Sequence, residues 1–268
     1  MPARYPERIV CLTEETTETL YLLGEERRIV GISGYTVRPP RARREKPRVS
    51  AFLSARTDRI RALRPDLVIG FSDLQADIAR ELAQAGLSVL VFNQRSVDGI
   101  LSMILALASL VGASAAGERL VAELEAGLAG IRTAAARFAR RPRVYFEEWD
   151  EPLISGIGWV SELIGVAGGD DVFPERARSA GAAGRTVADA QEVVRARPDV
   201  ILGSWCGKKF RPERVAARPG WGDIPAVRDG ELHEVKSSDI LQPGPAALTD
   251  GVRRLHRIFA AWDARGAR

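Results

Sequence analysis

The fold of this chain is decided by a segment that it carries twice. The first copy reads Thr57-Asp-Arg-Ile-Arg-Ala-Leu-Arg-Pro-Asp-Leu-Val-Ile-Gly70, and the second reads Gln191-Glu-Val-Val-Arg-Ala-Arg-Pro-Asp-Val-Ile-Leu-Gly203. In each copy a short helical pattern stops at Pro-Asp, because proline cannot continue a helix and its fixed φ starts a turn. An apolar run ending in glycine follows, which is typical of a buried strand. The repeat predicts two related lobes.

Short β-rich runs alternate with helical runs around both copies. The N-terminal part predicts strands Arg8–Leu12, Arg28–Ser33, Leu67–Gly70 and Ser88–Phe92, with helices Thr16–Leu23, Thr57–Leu63 and Gln75–Ala85. The C-terminal part predicts strands Arg143–Glu147, Val200–Leu202 and Glu231–Val235, with helices Trp159–Val166, Ala188–Arg195 and Ala246–Asp263. This alternation indicates βαβ units and mainly parallel sheets.

A helical stretch separates the two α/β patterns. It runs from residue 97 to residue 140, breaks near Gly112, and continues as one long helix over Ala115–Arg140. A helix of about 25 residues spans roughly 37 Å, so it has the length of a strut between lobes. The predicted fold is α/β, with two Rossmann-like lobes joined by a single long helix. The lobes are residues 1–96 and 141–268, and the connecting helices are residues 97–140.

Composition excludes several classes of protein. The chain has 268 residues, 46% of them hydrophobic and 28% charged, which is typical of a soluble globular protein. Its net charge of +4 does not predict nucleic-acid binding. Two cysteines, Cys11 and Cys206, do not make a disulfide framework, and two histidines are too few for a multi-histidine metal site or a catalytic triad. No metal site and no catalytic residue is predicted.

The sequence as it stands predicts neither a membrane span nor a signal peptide. The uncharged stretch Ile100–Gly117 is dense in apolar residues only over Ile100–Val111, which suits a buried core helix and not a membrane span. The chain enters its first strand by residue 9, so no signal peptide is predicted in the sequence as it stands. The corresponding location is cytoplasmic, or periplasmic if a signal peptide has been removed.

Loops at the carboxyl ends of the predicted strands are the candidate binding elements, because ligands of open α/β sheets lie there. The aromatic residues of these loops suit the walls of a flat, partly apolar ligand: Tyr35, Phe52, Phe71, Trp149, Trp205 and Trp221. The loops are predicted to face one cleft between the lobes. As a cleft residue, Trp205 is expected to contribute little to stability.

Two acidic segments also stand at the ends of predicted strands, Glu14-Glu15 and Glu147-Glu148-Trp149-Asp150. Such carboxylates could serve acid–base chemistry or a bound cation. Alternatively, Glu14 and Glu15 favour the positive end of the following helix, with Thr13 as its cap. Gly203, Gly207 and Lys208 approach the spacing of a phosphate-binding loop, but the spacing is one residue short and lacks the hydroxyl that holds magnesium.

Several of these segments together resemble a known family. They are the Ser33-Gly34-Tyr35-Thr36-Val37-Arg38-Pro39-Pro40 loop, Val49-Ser50-Ala51-Phe52, and the repeated helix-Pro-Asp-strand segment before and after a long helix. The chain resembles the substrate-binding proteins of metal-chelate ABC importers, most closely the vitamin B12-binding proteins. The chain departs from the family at Thr13-Glu14-Glu15, where Ser-Pro is frequent, and at Phe52, where B12 binders carry tryptophan.

The resemblance implies a class III periplasmic-binding-protein fold and a binding protein, not an enzyme. The implied ligand is a corrinoid such as cobalamin, held without covalent attachment. A monomer and a possible ABC permease partner are also implied. Combined with the acidic and polar loop residues above, the candidate ligand-binding residues are Glu14, Glu15, Tyr35, Phe52, Phe71, Glu148, Trp149, Trp205, Cys206, Asp239 and Gln242. Asp58 and Glu192, at matched positions of the repeat, are the candidate permease-docking acids.

Two alternatives stay open. The same framework carries ferric siderophore, haem and other metal chelates, so the chain could bind one of these in place of a corrinoid. The other is a small-molecule enzyme that uses the cleft carboxylates Glu14, Glu15 and Glu148 or the thiol of Cys206.

Overall fold

The computed structural model describes residues 5–266 and confirms the predicted α/β fold class. The chain divides into two compact units. The first takes the residues up to Gln94 together with Asp98–Glu123, and the second takes Arg95–Val97 and the residues from Leu124 onward. Each unit is built on one five-stranded sheet.

The sheet of the first unit is wholly parallel, with the strand order β3-β2-β1-β4-β5. Its strands are β1 (Ile9–Cys11), β2 (Ile29–Ser33), β3 (Arg48–Ser50), β4 (Leu67–Phe71) and β5 (Val89–Phe92). The helices between them are α1 (Glu14–Leu22), α2 (Ala42–Glu45), α3 (Thr57–Ala62) and α4 (Ala76–Gln84). The sequence did not predict β3 or α2. The central strand β1 is fully buried, which explains its continuous apolar run.

Two helices follow the first sheet, α5 (Val97–Leu110) and α6 (Ser114–Ala135). The break between them falls at Gly112, whose φ of +76° is readily adopted by glycine. The sequence correctly predicts one long helix after the break, but this helix ends at Ala135 and not at Arg140. No helix within residues 5–266 is long and apolar enough to cross a bilayer.

The sheet of the second unit is mixed. Its order is β10-β9-β6-β7, with β8 paired to the start of β6, and only the β6–β7 pair is antiparallel. The strands are β6 (Arg143–Asp150), β7 (Leu153–Ser155), β8 (Asp170–Asp171), β9 (Val200–Gly203) and β10 (Leu232–Glu234). Glu147 and Glu148 therefore lie inside β6 and do not follow it. The strand predicted over Arg143–Glu147 extends to Asp150, so the prediction that Glu148, Trp149 and Asp150 follow the strand was wrong. The charges of Glu148 and Asp150 are paired with Arg185 and Lys208.

The helices of the second unit are mostly short. They are α7 (Gly158–Ala167), α8 (Pro174–Ala177), α9 (Ala182–Arg185), α10 (Gln191–Ala196), α11 (Pro212–Ala216), α12 (Pro225–Arg228), α13 (Ser237–Ile240) and α14 (Val252–Gly266). A π-helical turn, Ala247–Gly251, leads into α14. The predicted last helix thus begins as a π-helix.

The repeated segment makes the same connection in both units. Asp66 accepts hydrogen bonds from the backbone N–H of Arg8 at 3.0 Å, and Asp199 accepts one from that of Arg143 at 2.9 Å. The two arginines donate back to the last carbonyls of the preceding helices, Leu63 and Ala196. The Pro-Asp turn therefore fixes the end of a helix to the start of the neighbouring strand.

Candidate functional site

The carboxyl edge of the first sheet carries five of the candidate residues, the aromatic Tyr35, Phe52 and Phe71 and the acidic Glu14 and Glu15. Tyr35 follows β2 and is 62% exposed, and Phe52 follows β3 and is half-buried. Phe71 is the last residue of β4 and is buried, so it is not the loop residue that the sequence predicted. Gln75, which sequence reasoning missed, joins two of these loops. Its amide donates to the carbonyl of Phe52 and accepts from the N–H of Phe71, each at 2.9 Å.

The first turn of α1 brings the acidic pair to the same edge, where both side chains are buried. Glu14 Oε2 accepts a 2.5 Å hydrogen bond from the N–H of Val37, which ties α1 to the loop after β2. Thr13 donates its hydroxyl to Glu15 Oε1 at 2.5 Å. Thr13 holds the cap position, but its side chain caps no backbone N–H, so the predicted side-chain cap is absent. Glu14 Oε1 and Glu15 Oε2 are buried without a hydrogen-bond partner.

Burial dominates the protonation of these acids. Desolvation raises the pKa of Glu14 to about 8, against the hydrogen bond from Val37 and with added repulsion from Glu18 and Glu15. Desolvation likewise raises the pKa of Glu15 to about 7, against the hydrogen bond from Thr13. At neutral pH Glu14 is therefore mostly protonated and can donate a hydrogen bond, whereas Glu15 is about half protonated. The neighbouring Cys11 is fully buried, which raises its thiol pKa to about 12 and removes it as a nucleophile.

These raised pKa values predict that stability falls with rising pH. Above about pH 4.5 the unfolded chain ionises both acids, while the folded chain keeps Glu15 largely protonated up to about pH 7 and Glu14 up to about pH 8, so the free energy of unfolding decreases over these ranges. We expect the Glu14→Gln, Glu15→Gln double variant to be about 2 kcal/mol more stable than the parent at pH 8 and similar to it at pH 4.5. Thermal unfolding across this pH range measures the effect.

A matched control uses two exposed glutamates of α6. The Glu123→Gln, Glu125→Gln variant removes the same number of carboxylates from an exposed face, and its pH profile should follow that of the parent. Parallel profiles for the buried double variant and the parent would contradict the assignment.

In the second unit the loop after β9 is held by a buried ion pair. Trp205 is 3% exposed and donates its indole N–H to Glu147 Oε1 at 3.0 Å. Glu147 is fully buried and also accepts hydrogen bonds from both terminal nitrogens of Arg218, at 2.6 and 2.9 Å. Trp205 belongs to a core cluster with Tyr145, Phe210 and Trp221. The expectation that Trp205 contributes little to stability is therefore wrong.

A lysine covers the aromatic residues of this edge. The Lys208 ammonium lies 4.1 Å from the ring centroid of Trp149 and 5.2 Å from that of Trp205. It also pairs with Asp150, whose side chain is 5% exposed. In the sequence, Lys208 stands out only as part of an incomplete phosphate loop. The signal for its role here was a lysine that follows a glycine in the loop after a strand.

The remaining candidates of the second unit lie in separate surroundings. Glu148 forms a two-contact ion pair with the buried Arg185, at 2.5 and 3.1 Å. Cys206 is exposed in the loop after β9. Within the described part of the chain, no group of three or more histidine, cysteine or acidic residues is placed to hold a metal ion.

Asp239 and Gln242 lie in and just after α13, and both are half-buried. Asp239 lines a polar cavity of about 560 Å³ together with Lys236, Asp250 and Arg254, among others. A Cβ at Gly251 would lie 2.3 Å from the carbonyl oxygen of Asp239, so glycine is required for the π-helical turn to pack against α13.

The two candidate docking acids differ in their surroundings. Asp58, in the first turn of α3, is exposed. Glu192, in the first turn of α10, is half-buried and pairs with Arg176 at 2.6 Å. Their matched positions in the repeat are therefore not matched in exposure.

Comparison with known proteins gives consistent results. A family model described as periplasmic binding protein matches residues 9–238. The vitamin B12-binding protein of Vibrio campbellii is 26% identical over 248 residues, which cover 90% of this chain and 86% of that protein. The ABC transporter substrate-binding lipoprotein YvrC of Bacillus subtilis is 24% identical over 259 residues, 93% of this chain and 79% of that protein. The apo structure of the periplasmic heme-binding protein RhuT from Roseiflexus sp. RS-1 superposes with a TM-score of 0.78 and 25% identity, covering 94% of this chain and 98% of that one.

Proposed function

The chain belongs to the periplasmic binding protein family, and from this premise we propose that it binds a metal chelate of the corrinoid class for an ABC importer. The candidate residues at the carboxyl edge of each sheet are the proposed ligand contacts. The curated relative that binds vitamin B12 supports a corrinoid as the first candidate. The YvrC lipoprotein supports the assignment to an ABC transporter.

The observation that carries the proposal is the composition of the two carboxyl edges. Tyr35 and Phe52 follow strands of the first unit and offer partly exposed aromatic rings. Trp149 in the second unit is also partly exposed, but it lies inside β6 and not in the loop after a strand that the sequence predicted. Large, flat ligands with polar substituents are bound by such rings together with a few charged or amide groups. Here those groups are Glu14, Glu15, Lys208 and Asp239.

Haem is the second candidate ligand. The structure of the heme-binding protein RhuT covers almost all of this chain, and the same aromatic edges would suit a porphyrin face. A thermal-shift screen with cobalamin, cobinamide, haem and a ferric siderophore distinguishes the ligands, because a ligand that binds only the folded state raises Tm. We expect a corrinoid to give the largest rise.

Membership of a family of binding proteins favours binding over catalysis. Glu147 and Glu148 are neutralised by arginines, and the Cys11 thiol is buried. A general base needs a free carboxylate within reach of the substrate, and a nucleophile needs an activating partner. Glu14 and Glu15, with pKa values raised to about 8 and about 7, titrate in the range of a general acid or base, so the preference for binding comes from the family and not from these two acids.

The proposal extends to a permease and to the outer side of the membrane, where an importer receives its ligand. Asp58 and Glu192 are the proposed docking acids.

The Asp58→Lys, Glu192→Lys variant should abolish uptake while leaving ligand affinity unchanged. Because Glu192→Lys also breaks the pair with Arg176, Glu192→Gln serves as the control for that loss. Unchanged uptake would reject the docking role and leave both acids as favourable residues of helix first turns.

A further inference from the structure

Two indole rings and a carboxylate surround one ammonium group at the carboxyl edge of the second sheet. The ammonium is that of Lys208, 4.1 Å from the Trp149 centroid, 5.2 Å from the Trp205 centroid and paired with Asp150. Aromatic faces combined with a negative charge are the surroundings that bind organic cations, because the ring faces carry negative electrostatic potential. Lys208 thus occupies a cation-binding cage formed by Trp149, Trp205 and Asp150.

The cage is held in place by contacts that do not involve Lys208. The indole N–H of Trp205 is bound by Glu147, and that of Trp149 donates to the carbonyl of Glu151 at 2.8 Å. Phe210 packs edge-on against Trp205 with a centroid distance of 5.0 Å. The rings therefore keep their positions when the lysine leaves.

Lys208 itself is an exchangeable occupant. Its side chain is 36% exposed, and it follows Gly207, whose φ is +79°. A flexible four-carbon stem lets the ammonium move into water, where a lysine charge is strongly hydrated. By contrast, Asp150 is nearly buried and would gain from any replacement cation.

We propose that this cage is a subsite for an organic cation, and that an alkylammonium group of the ligand enters it by displacing Lys208. The inference rests on the proposed function only in taking this edge as a ligand-binding edge. It adds a chemical requirement to the ligand, a cationic substituent apart from the chelate itself.

Calorimetric titration with tetramethylammonium chloride, against sodium chloride at equal ionic strength, tests the subsite without any chelate. We expect Lys208→Ala to bind tetramethylammonium at least tenfold more tightly than the parent, because no internal ammonium competes. Lys208→Gln should behave likewise, and its amide can still donate to Asp150 if the alanine variant does not fold. Lys208→Arg and the neighbouring Lys209→Ala should resemble the parent. Adding Asp150→Asn to Lys208→Ala should weaken binding at least tenfold.

Folded Lys208→Ala and Lys208→Gln variants that bind the probe no better than the parent would overturn the inference. The inference would also be overturned if adding Asp150→Asn to Lys208→Ala left the binding of tetramethylammonium unchanged. A chelate titration of the parent is independent of both results. Chelate binding without cage binding refutes the subsite alone, and cage binding without chelate binding refutes the proposed function alone.

Discussion

Replacement of Arg218 by methionine is expected to lower the free energy of unfolding of the second unit by about 3 kcal/mol. Arg218 donates two hydrogen bonds to Glu147, a fully buried residue of β6, and its guanidinium carbon lies 4.5 Å from the ring centroid of Trp221. Methionine keeps much of the apolar stem, so the loss comes mainly from leaving a buried carboxylate without its partner. Denaturant unfolding followed by circular dichroism measures the change.

The matched control removes both charges. In the Glu147→Gln, Arg218→Met variant, the glutamine oxygen can still accept the indole N–H of Trp205 while no charge remains buried. We expect this double variant to regain at least half of the lost stability. A double variant less stable than Arg218→Met alone would show that the ion pair is not the source of the loss.

Replacement of Trp205 by alanine is expected to lower the free energy of unfolding by about 3–5 kcal/mol, the usual range for a buried tryptophan. The side chain is 3% exposed, packs edge-on against Phe210 and donates to Glu147. Affinity for the chelate should fall roughly thirtyfold, or about 2 kcal/mol, because one wall of the proposed site is removed. Chemical unfolding and an equilibrium titration below the unfolding temperature measure the two effects.

Trp205→Phe separates the hydrogen bond from the ring. Phenylalanine keeps an aromatic face but cannot donate to Glu147, so a stability loss of about 1 kcal/mol is expected. If Trp205→Ala were as stable as the parent, the tryptophan would not be part of the core. If its chelate affinity were unchanged, Trp205 would not belong to the binding edge.

The repeated segment was sufficient to predict the α/β fold because its signals are local. A proline that stops a helix and an apolar run before a glycine act over a few residues, and both copies fold as expected. The strand Arg48–Ser50 escaped prediction because it has only three residues and follows a basic, proline-rich loop.

The charged end of β6 could not be predicted for a different reason. Glu147 ends the predicted strand, and Glu148 and Asp150 have the composition of a loop, yet all three acids lie in β6. Their partners, Arg218, Arg185 and Lys208, are 37 to 71 positions away along the chain. Only the folded chain shows which arginine meets which glutamate, and the burial of Trp205 depends on the same pairing.

An equilibrium titration of the protein with cobalamin, cobinamide, haem and a ferric siderophore tests the central claim most directly, when the ligand is recovered afterwards and identified. We expect one of these chelates, most of all a corrinoid, to bind with a Kd of about 1 μM or tighter and to be recovered chemically unchanged. Absence of binding by every chelate at about 100 μM, or recovery of an altered ligand, would contradict it.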